Sequence, residues 1–136
     1  MKRTLLLICL LACVAIALPL IAQNKGAAPA DPLSGTWTGD WGPNAGDRNH
    51  VNVDLKLAGT AVTGTVHSMD PKRDDVAIAK GTYTAAGNKV HLEADAKNPR
   101  GGAAVHYVID GTVAGTAMSG SWNHDASKGD FKLTKK

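Results

Sequence analysis

The sequence predicts an all-β protein whose eight antiparallel strands follow one another as an up-and-down meander and close into a barrel. Three observations support this fold class. Residues 50–57 alternate strictly between apolar and polar side chains, which is the period of a half-buried strand. An Ala-Gly turn recurs at residues 58–59, 86–87 and 114–115, at a fixed interval of 28 residues, and a fixed spacing is typical of stacked or circular architectures. No stretch after residue 22 shows a helical period.

The predicted strands, in order along the chain, are residues 34–41, 50–57, 61–68, 76–85, 89–96, 104–113, 116–124 and 130–135. The first is bounded by Pro32 and Pro43, which cannot donate to a sheet. The fourth alternates poorly, since Val76 and Ile78 are out of phase with Tyr83, and this predicts a β-bulge. Eight strands with short connections favour a closed barrel, because closure leaves no bare edge. A two-sheet sandwich is the main alternative.

Two-residue turns at the three Ala-Gly positions would fix which residues face each other across each hairpin. The predicted pairs are Leu57 with Val62, Val53 with Val66, Tyr83 with Leu92, Ile109 with Trp122, and Val113 with Met118. Every pair joins two apolar residues, so this register agrees with the hydrophobic pattern.

The remaining connections, at residues 42–49, 69–75, 97–102 and 125–129, are longer and rich in charge, Pro and Gly. In a meander the two kinds of connection alternate. The tight turns therefore lie at one end of the barrel and the long loops at the other, which forms a mouth. Loops held on a rigid scaffold commonly carry binding sites.

The chain divides into three segments. Residues 1–22 have the basic start and apolar run of a secretory signal peptide. Residues 23–33 have the composition of a flexible linker, and residues 34–136 form the barrel domain. We therefore expect export to the periplasm or the extracellular space. The alternative is anchoring in a membrane by an uncleaved N-terminal helix.

Charge and cysteine content narrow the classes of partner. The formal charge of +3 includes Lys2 and Arg3, and cleavage of the signal segment would lower it to about +1. No basic run is interleaved with aromatic residues, so nucleic acid is not an expected partner. Cleavage would also remove Cys9 and Cys13, the only cysteines of the chain. The exported domain would then have no disulfide, thiol nucleophile or cysteine metal ligand.

Five residues are predicted to point inward near the mouth and to form a ligand-binding site: Trp41, Ser68, Tyr107, Trp122 and His124. Aromatic walls with a few polar groups are the usual composition of a small-molecule pocket, although Trp and Tyr at such positions also serve simply as core. Small residues are predicted on the inner face of several strands: Gly39, Gly64, Ala94, Gly111 and Gly120. They either leave interior space for a ligand or only allow the strands to bend.

The sequence gives no reason to predict a metal, a cofactor or an enzymatic activity. His91, Glu93, Asp95 and His106 share one outer face and could touch, but the same alternation is typical of any solvated sheet face. Catalysis requires a nucleophile, a base and an orienting group together, and a histidine beside Asp125 supplies at most a base and a carboxylate. The G-x-S-x-G and phosphate-loop patterns are absent.

Residues 35–37, Gly-Thr-Trp, resemble the G-x-W motif of lipocalins and other calycins, and residues 62–66 resemble the third strand of avidins. The resemblance implies a small closed barrel whose G-x-W strand begins at the closed end. It does not imply biotin binding, since Gly39 and Pro43 stand where avidins place a ligand-binding Asn and Ser, and only Ser68 corresponds. The whole chain also resembles small secreted bacterial proteins of no assigned activity, which implies a fold alone.

The sequence thus predicts an exported barrel that binds a small apolar or amphipathic molecule at its long-loop end. The three aromatic residues of the site would supply contact area, and Ser68 and His124 would anchor a polar group. The alternative is a protein-interaction module, such as a calycin-type inhibitor or an envelope component, acting through the charged loops at residues 69–75 and 98–102. The expected partner is a small molecule or a protein, with membrane contact only through an uncleaved signal segment.

Overall fold

A computed structural model describes residues 31–125 and 127–136 of the chain. The predicted signal segment, residues 1–22, lies outside the described residues, as do residues 23–30 of the predicted linker. Within the described residues, no helix has the length and apolar character needed to cross a membrane.

Eight strands form the fold: β1 (Gly35–Asn44), β2 (Asp47–Ala58), β3 (Ala61–Asp70), β4 (Val76–Thr84), β5 (Lys89–Ala96), β6 (Val105–Ala114), β7 (Ala117–His124) and β8 (Ser127–Lys135). Each strand is antiparallel to the next, and β1 pairs with β8, so the sheet is a closed barrel in sequence order. The predicted meander and its closure are confirmed, and the sandwich alternative is excluded.

Four of the five predicted cross-strand pairs are observed: Leu57 with Val62, Val53 with Val66, Ile109 with Trp122, and Val113 with Met118. Two of the three Ala-Gly turns also have the predicted length. Their first residues, Gly59 and Gly115, have φ values of 65° and 62°. A positive φ at the first of two turn residues is what a type II′ hairpin requires.

The fifth predicted pair is wrong, because Tyr83 lies opposite Val90 rather than Leu92. The turn between β4 and β5 occupies residues 85–88 and is therefore longer than the predicted two residues. The N–H of Asn88 donates to the carbonyl oxygen of Ala85 across this turn at 3.1 Å. Since the pairing moves by two residues, the same side chains still face inward.

The predicted bulge in β4 is present. The register of β4 against β5 shifts between Ile78 and Lys80, and the pairing of β3 with β4 is also irregular, between Ala61 and Thr65. The shift explains why the apolar residues at the two ends of this strand are out of phase.

The prediction of four long connections at the mouth is half wrong. The pairing of β1 with β2 continues to Asn44 and Asp47, and that of β7 with β8 continues to His124 and Ser127. The strands include Gly42, Pro43, Asp47, Arg48, Lys128 and Gly129 of these stretches. The charged side chains are accepted there because the outer face is in water. Only the β3–β4 loop (residues 71–75) and the β5–β6 loop (residues 97–104) are long. The two loops are neighbours in the ring of strands, so they lie on one side of the mouth.

The opposite end of the barrel is closed by Leu33 and Trp37, both fully buried. The indole N–H of Trp37 donates to the carbonyl oxygen of Leu33 at 2.8 Å, and the ammonium group of Lys135 lies 5.7 Å from the centre of the Trp37 ring. Leu33 lies in the predicted flexible linker, but its side chain belongs to the core and the Asp31 carboxylate accepts its N–H at 2.9 Å. The G-x-W strand thus begins at the closed end.

Candidate functional site

The barrel contains a cavity of about 1000 Å³ that extends from the interior to the two long loops. This volume is at the upper end of the roughly 300–1,000 Å³ that small-molecule pockets occupy. Its inner wall is mostly apolar and comes from strands all round the barrel: Val51, Val53, Leu55, Val66, Val90, Leu92, Ala94, Ile109, Met118, Phe131 and Leu133. Such a wall can surround an apolar group and offers it few polar contacts.

The inward glycines do not create this space. A Cβ atom added at Gly39, Gly64 or Gly120 would overlap a carbonyl oxygen of the adjacent strand. A Cβ at Gly111 would lie 2.7 Å from Cζ of Phe131, whose ring covers that position. These glycines therefore do not provide interior space; they allow close approach of the adjacent strand or, at Gly111, of the Phe131 ring. The cavity lies between the larger apolar side chains.

Four of the five predicted site residues form one aromatic cluster. The ring centres of Trp41 and Trp122 are 5.0 Å apart at an interplanar angle of 83°. Tyr107 lies 6.1 Å from each of the two indoles. His124 lies 4.6 Å from Tyr107 and 5.7 Å from Trp122. Edge-to-face contacts of this kind stabilise aromatic pairs beyond their buried area, so the cluster is a rigid part of the wall.

Strand β8 makes room for this cluster at Gly129. Gly129 lies opposite Trp122, and a Cβ atom there would lie 2.8 Å from Cζ2 of the indole and would also overlap the carbonyl oxygen of Gly42. The indole N–H of Trp122 donates to the carbonyl oxygen of Asp130 at 3.2 Å. The position of Trp122 is thus fixed by the backbone of β8.

The predicted site residues divide by their relation to the cavity. Trp41, Ser68, Tyr107 and Trp122 line it. His124 is not among the described lining residues, because its ring stacks on Trp122 at an interplanar angle of 15°. Its Nδ1 is buried and has no hydrogen-bond partner among the described residues. That His124 anchors a ligand stays a prediction. Its ring contacts the aromatic wall, and its Nδ1 lies 3.9 Å from a carboxylate oxygen of Asp125.

The long loops supply a polar rim that the sequence analysis did not assign to the site. Lys72 and Arg73 of the β3–β4 loop and Lys97 of the β5–β6 loop line the cavity. Burial raises the pKa of the Tyr107 hydroxyl, and the positive charge of Arg73 opposes this shift, so the two side chains face the same space. The signal in the sequence is the charge of these two loops, from which only a surface for a protein partner is predicted.

One rim loop is fastened to the outside of the barrel through His67. Its Nδ1 lies 2.9 Å from a carboxylate oxygen of Asp75, and its Nε2 lies 3.2 Å from Asp54. The hydrogen bond with Asp75 is the largest influence that raises the pKa of His67. The imidazole therefore links β2 to the loop that forms one side of the mouth.

The histidines of the outer face do come together, in a chain of ion pairs. His91 lies between Asp110 at 2.6 Å and Glu93 at 3.3 Å, and His106 lies between Asp95 at 2.8 Å and Glu93 at 3.4 Å. The hydrogen bond with Asp110, followed by that with Glu93, raises the pKa of His91. Within residues 31–125 and 127–136, no group of three such side chains is arranged to hold a metal ion. The face is a network of contacts between histidines and carboxylates.

The sequence matches no family model and no curated protein sequence. The eight-stranded closed antiparallel barrel is the architecture that the resemblance to calycins implied, but other families share it. Function must therefore be argued from the cavity and its rim.

Proposed function

We propose that this barrel binds a small apolar or amphipathic molecule in its interior, and that the molecule enters between the two long loops. The observation that carries the proposal is the cavity of about 1000 Å³ with a largely apolar wall. Removing apolar surface from water contributes roughly 25 cal/mol for each Å² buried. A ligand that fills part of this space therefore gains affinity without any specific polar contact.

The composition of the mouth supports an amphipathic ligand in particular. Trp41 and Trp122 line the cavity next to the short β1–β2 and β7–β8 connections, and Tyr107 lines it next to the long β5–β6 loop. Ser68 and Tyr107, which carry hydroxyl groups, are both lining residues of the cavity. Aromatic surface beside a few polar groups is how small-molecule sites both hold and orient a ligand.

Export is part of the proposal. The signal segment predicted at residues 1–22 would deliver the barrel to the periplasm or the extracellular space. A carrier or scavenger of a poorly soluble molecule would work there, since such molecules need an apolar environment to remain dispersed in water.

Uptake of the uncharged dye N-phenyl-1-naphthylamine tests the proposal. We expect the purified protein to bind the dye, with a rise in dye emission and quenching of tryptophan emission. A variant that fills the cavity, Val66→Trp with Ala94→Phe, should bind it at least tenfold more weakly, because both side chains line the interior.

The matched control places similar aromatic groups on the outer face, as Thr65→Trp with Val108→Phe. Neither residue lines the cavity, so this variant should bind the dye like the original protein. Equal loss of binding in both variants, or no uptake by the folded protein, would contradict the proposal. The second result would leave a protein partner of the charged loops as the better hypothesis.

A further inference from the structure

Three cations stand on the wall of the cavity at its mouth. Lys72 and Arg73 come from the β3–β4 loop, and Lys97 comes from the β5–β6 loop. None of them forms an ion pair with any residue of the described chain. Lysine and arginine side chains are donors only, so each offers its hydrogen bonds to whatever occupies the mouth.

The carboxylates of the same rim are mostly engaged elsewhere. Asp75 lies 2.9 Å from Nδ1 of His67, and Asp95 lies 2.8 Å from Nδ1 of His106. Both histidines are on outward-facing positions of their strands, so the two carboxylates are held toward the outer face. Asp74 is the remaining carboxylate on the cavity wall, and no described residue forms an ion pair with it. The cations of the rim therefore outnumber its unengaged carboxylates by two.

Two neutral donors face the same space. Ser68 and Tyr107 line the cavity and each carries a hydroxyl group, and no described residue forms a hydrogen bond with either hydroxyl. Arg73 is close enough to Tyr107 for its charge to act on the phenol. A purely apolar ligand that displaced water here would leave these donors without an acceptor, which costs free energy.

We propose that the ligand is an amphiphile with an anionic head group, whose apolar chain lies in the barrel and whose head lies between Arg73, Ser68 and Tyr107. This inference rests on the proposed function and specifies its ligand. A carboxylate or a phosphate monoester has only acceptor oxygens and a negative charge, and it matches a rim of donors. A neutral alcohol would meet the hydroxyls but leave the cations unpaired, and a cationic head would be repelled.

Binding of matched twelve-carbon probes tests this inference, with quenching of tryptophan emission as the readout because Trp41 and Trp122 line the cavity. The probes are dodecanoate, dodecyl phosphate, dodecanol and dodecylamine, each below the concentration at which it aggregates. We expect the better of the two anions to bind at least tenfold more tightly than dodecanol, and dodecylamine to bind most weakly. The preference for the anion should shrink as salt is added, because salt screens exposed charges. The order of dodecanoate and dodecyl phosphate tells which anion the rim prefers.

The role of the rim is tested by two arginine variants. Arg73→Gln should weaken binding of the preferred anion about tenfold and leave dodecanol unchanged, since one charge-assisted hydrogen bond is lost. Arg100→Gln is the control, because Arg100 is on the other long loop but does not line the cavity. Both residues are exposed, so neither change should affect folding.

The outcomes separate this inference from the proposed function. If the folded protein binds dodecanol and the anions equally, or if both arginine variants bind the anion like the original protein, the inference is overturned while the proposed function stands. If no probe and no dye binds, the proposed function fails, and this inference fails with it.

Discussion

The carboxylate of Asp75 lies 2.9 Å from Nδ1 of His67 and fastens the β3–β4 loop to the outer face of the barrel. His67 is held from its other side by Asp54 at 3.2 Å. An imidazole between two carboxylates is favoured in its charged form. The same contact that fixes the loop therefore sets the titration of His67.

We predict that His67 titrates above its ordinary value of 6.5, and that Asp75→Asn lowers its pKa more than Asp54→Asn does. The reason is that the hydrogen bond with Asp75 is the largest influence raising it. Titration of the ring protons by NMR measures both effects. Asp74→Asn is the control, since Asp74 forms no ion pair with His67. An unchanged His67 pKa in Asp75→Asn would contradict the assignment.

The ion-pair chain on the outer face predicts a dependence of stability on pH. The pKa of His91 in this chain is raised above the ordinary value of 6.5, which we take for the unfolded protein, mainly by the hydrogen bond with Asp110. The stability that His91 contributes is therefore fully present below about pH 6.5 and is lost as the pH rises through the folded value. Asp110→Asn should reduce this loss, because Asp110 is the largest cause of the shift.

Urea unfolding midpoints at pH 6 and pH 8 measure this effect. The difference between the two midpoints should be smaller in Asp110→Asn than in the original protein. Asp47→Asn is a suitable control, since Asp47 is an exposed carboxylate. An identical difference in Asp110→Asn and in the original protein would show that His91 does not carry the effect.

The close approach of β8 to Trp122 predicts that Gly129→Ala is destabilising. The new methyl group would overlap the Gly42 carbonyl oxygen and lie 2.8 Å from the indole, and overpacking of this kind costs about 1–3 kcal/mol. Urea unfolding gives the change in free energy, and a shift in tryptophan emission reports the displaced indole. Gly46→Ala is the control, because the nearest atom to its new Cβ, Oδ1 of Asn44, lies at 3.4 Å. Equal effects of the two changes would refute this description of the wall.

The buried Nδ1 of His124 has no hydrogen-bond partner among the described residues and only a 3.9 Å contact with the exposed carboxylate of Asp125. His124→Phe should keep the stacking on Trp122 and remove this polar atom, whose burial without a hydrogen bond costs about 1–3 kcal/mol. Its free energy of unfolding should therefore equal or exceed that of the original protein. His124→Ala should lower it by about 0.5–1.5 kcal/mol through loss of the aromatic contacts. A larger loss in His124→Phe than in His124→Ala would mean that the imidazole makes a contact required for folding.

The strand order and most of the register were predictable because the pattern is local. The alternation of apolar and polar residues shows which side chains face inward. The length of the two-residue turns at Gly59 and Gly115 then fixes which residues pair across each hairpin. The length of the turn at residues 85–88 was predicted wrongly because Ala85 and Asn88 both belong to it. An Ala-Gly pair alone does not indicate how many residues the turn contains. Because the pairing is displaced by two residues, each side chain of these strands stays on its predicted face of the sheet.

The shape of the mouth was less predictable, since it depends on how far the strands continue. Gly42 and Pro43 look like a loop in sequence, yet β1 continues through them. Arg48 of β2 stabilises this extension from the outer face, where it forms ion pairs with Asp40 of β1 and with Asp130 of β8 on the far side of β1. Such contacts join residues far apart in sequence, so no local pattern reveals them.

The cavity itself could not be predicted from the sequence. Whether inward apolar side chains fill the interior of the barrel or only line an open space depends on the size of the barrel. Trp41, Tyr107 and Trp122 were assigned to one site from their phase, and they do lie together. The distinction between Ser68, which lines the cavity, and His124, which lies beside the aromatic wall, depends on side-chain packing. Phase along a strand does not determine that packing.

The most direct test of the central claim is methyl NMR of the protein with N-phenyl-1-naphthylamine. Binding inside the barrel predicts chemical-shift changes and dye contacts for the methyl groups of Val66, Leu92 and Ile109, which line the cavity, and none for Val108 on the outer face. Changes confined to Val108 and the loop residues, or an unchanged spectrum at saturating dye, would contradict binding within the barrel.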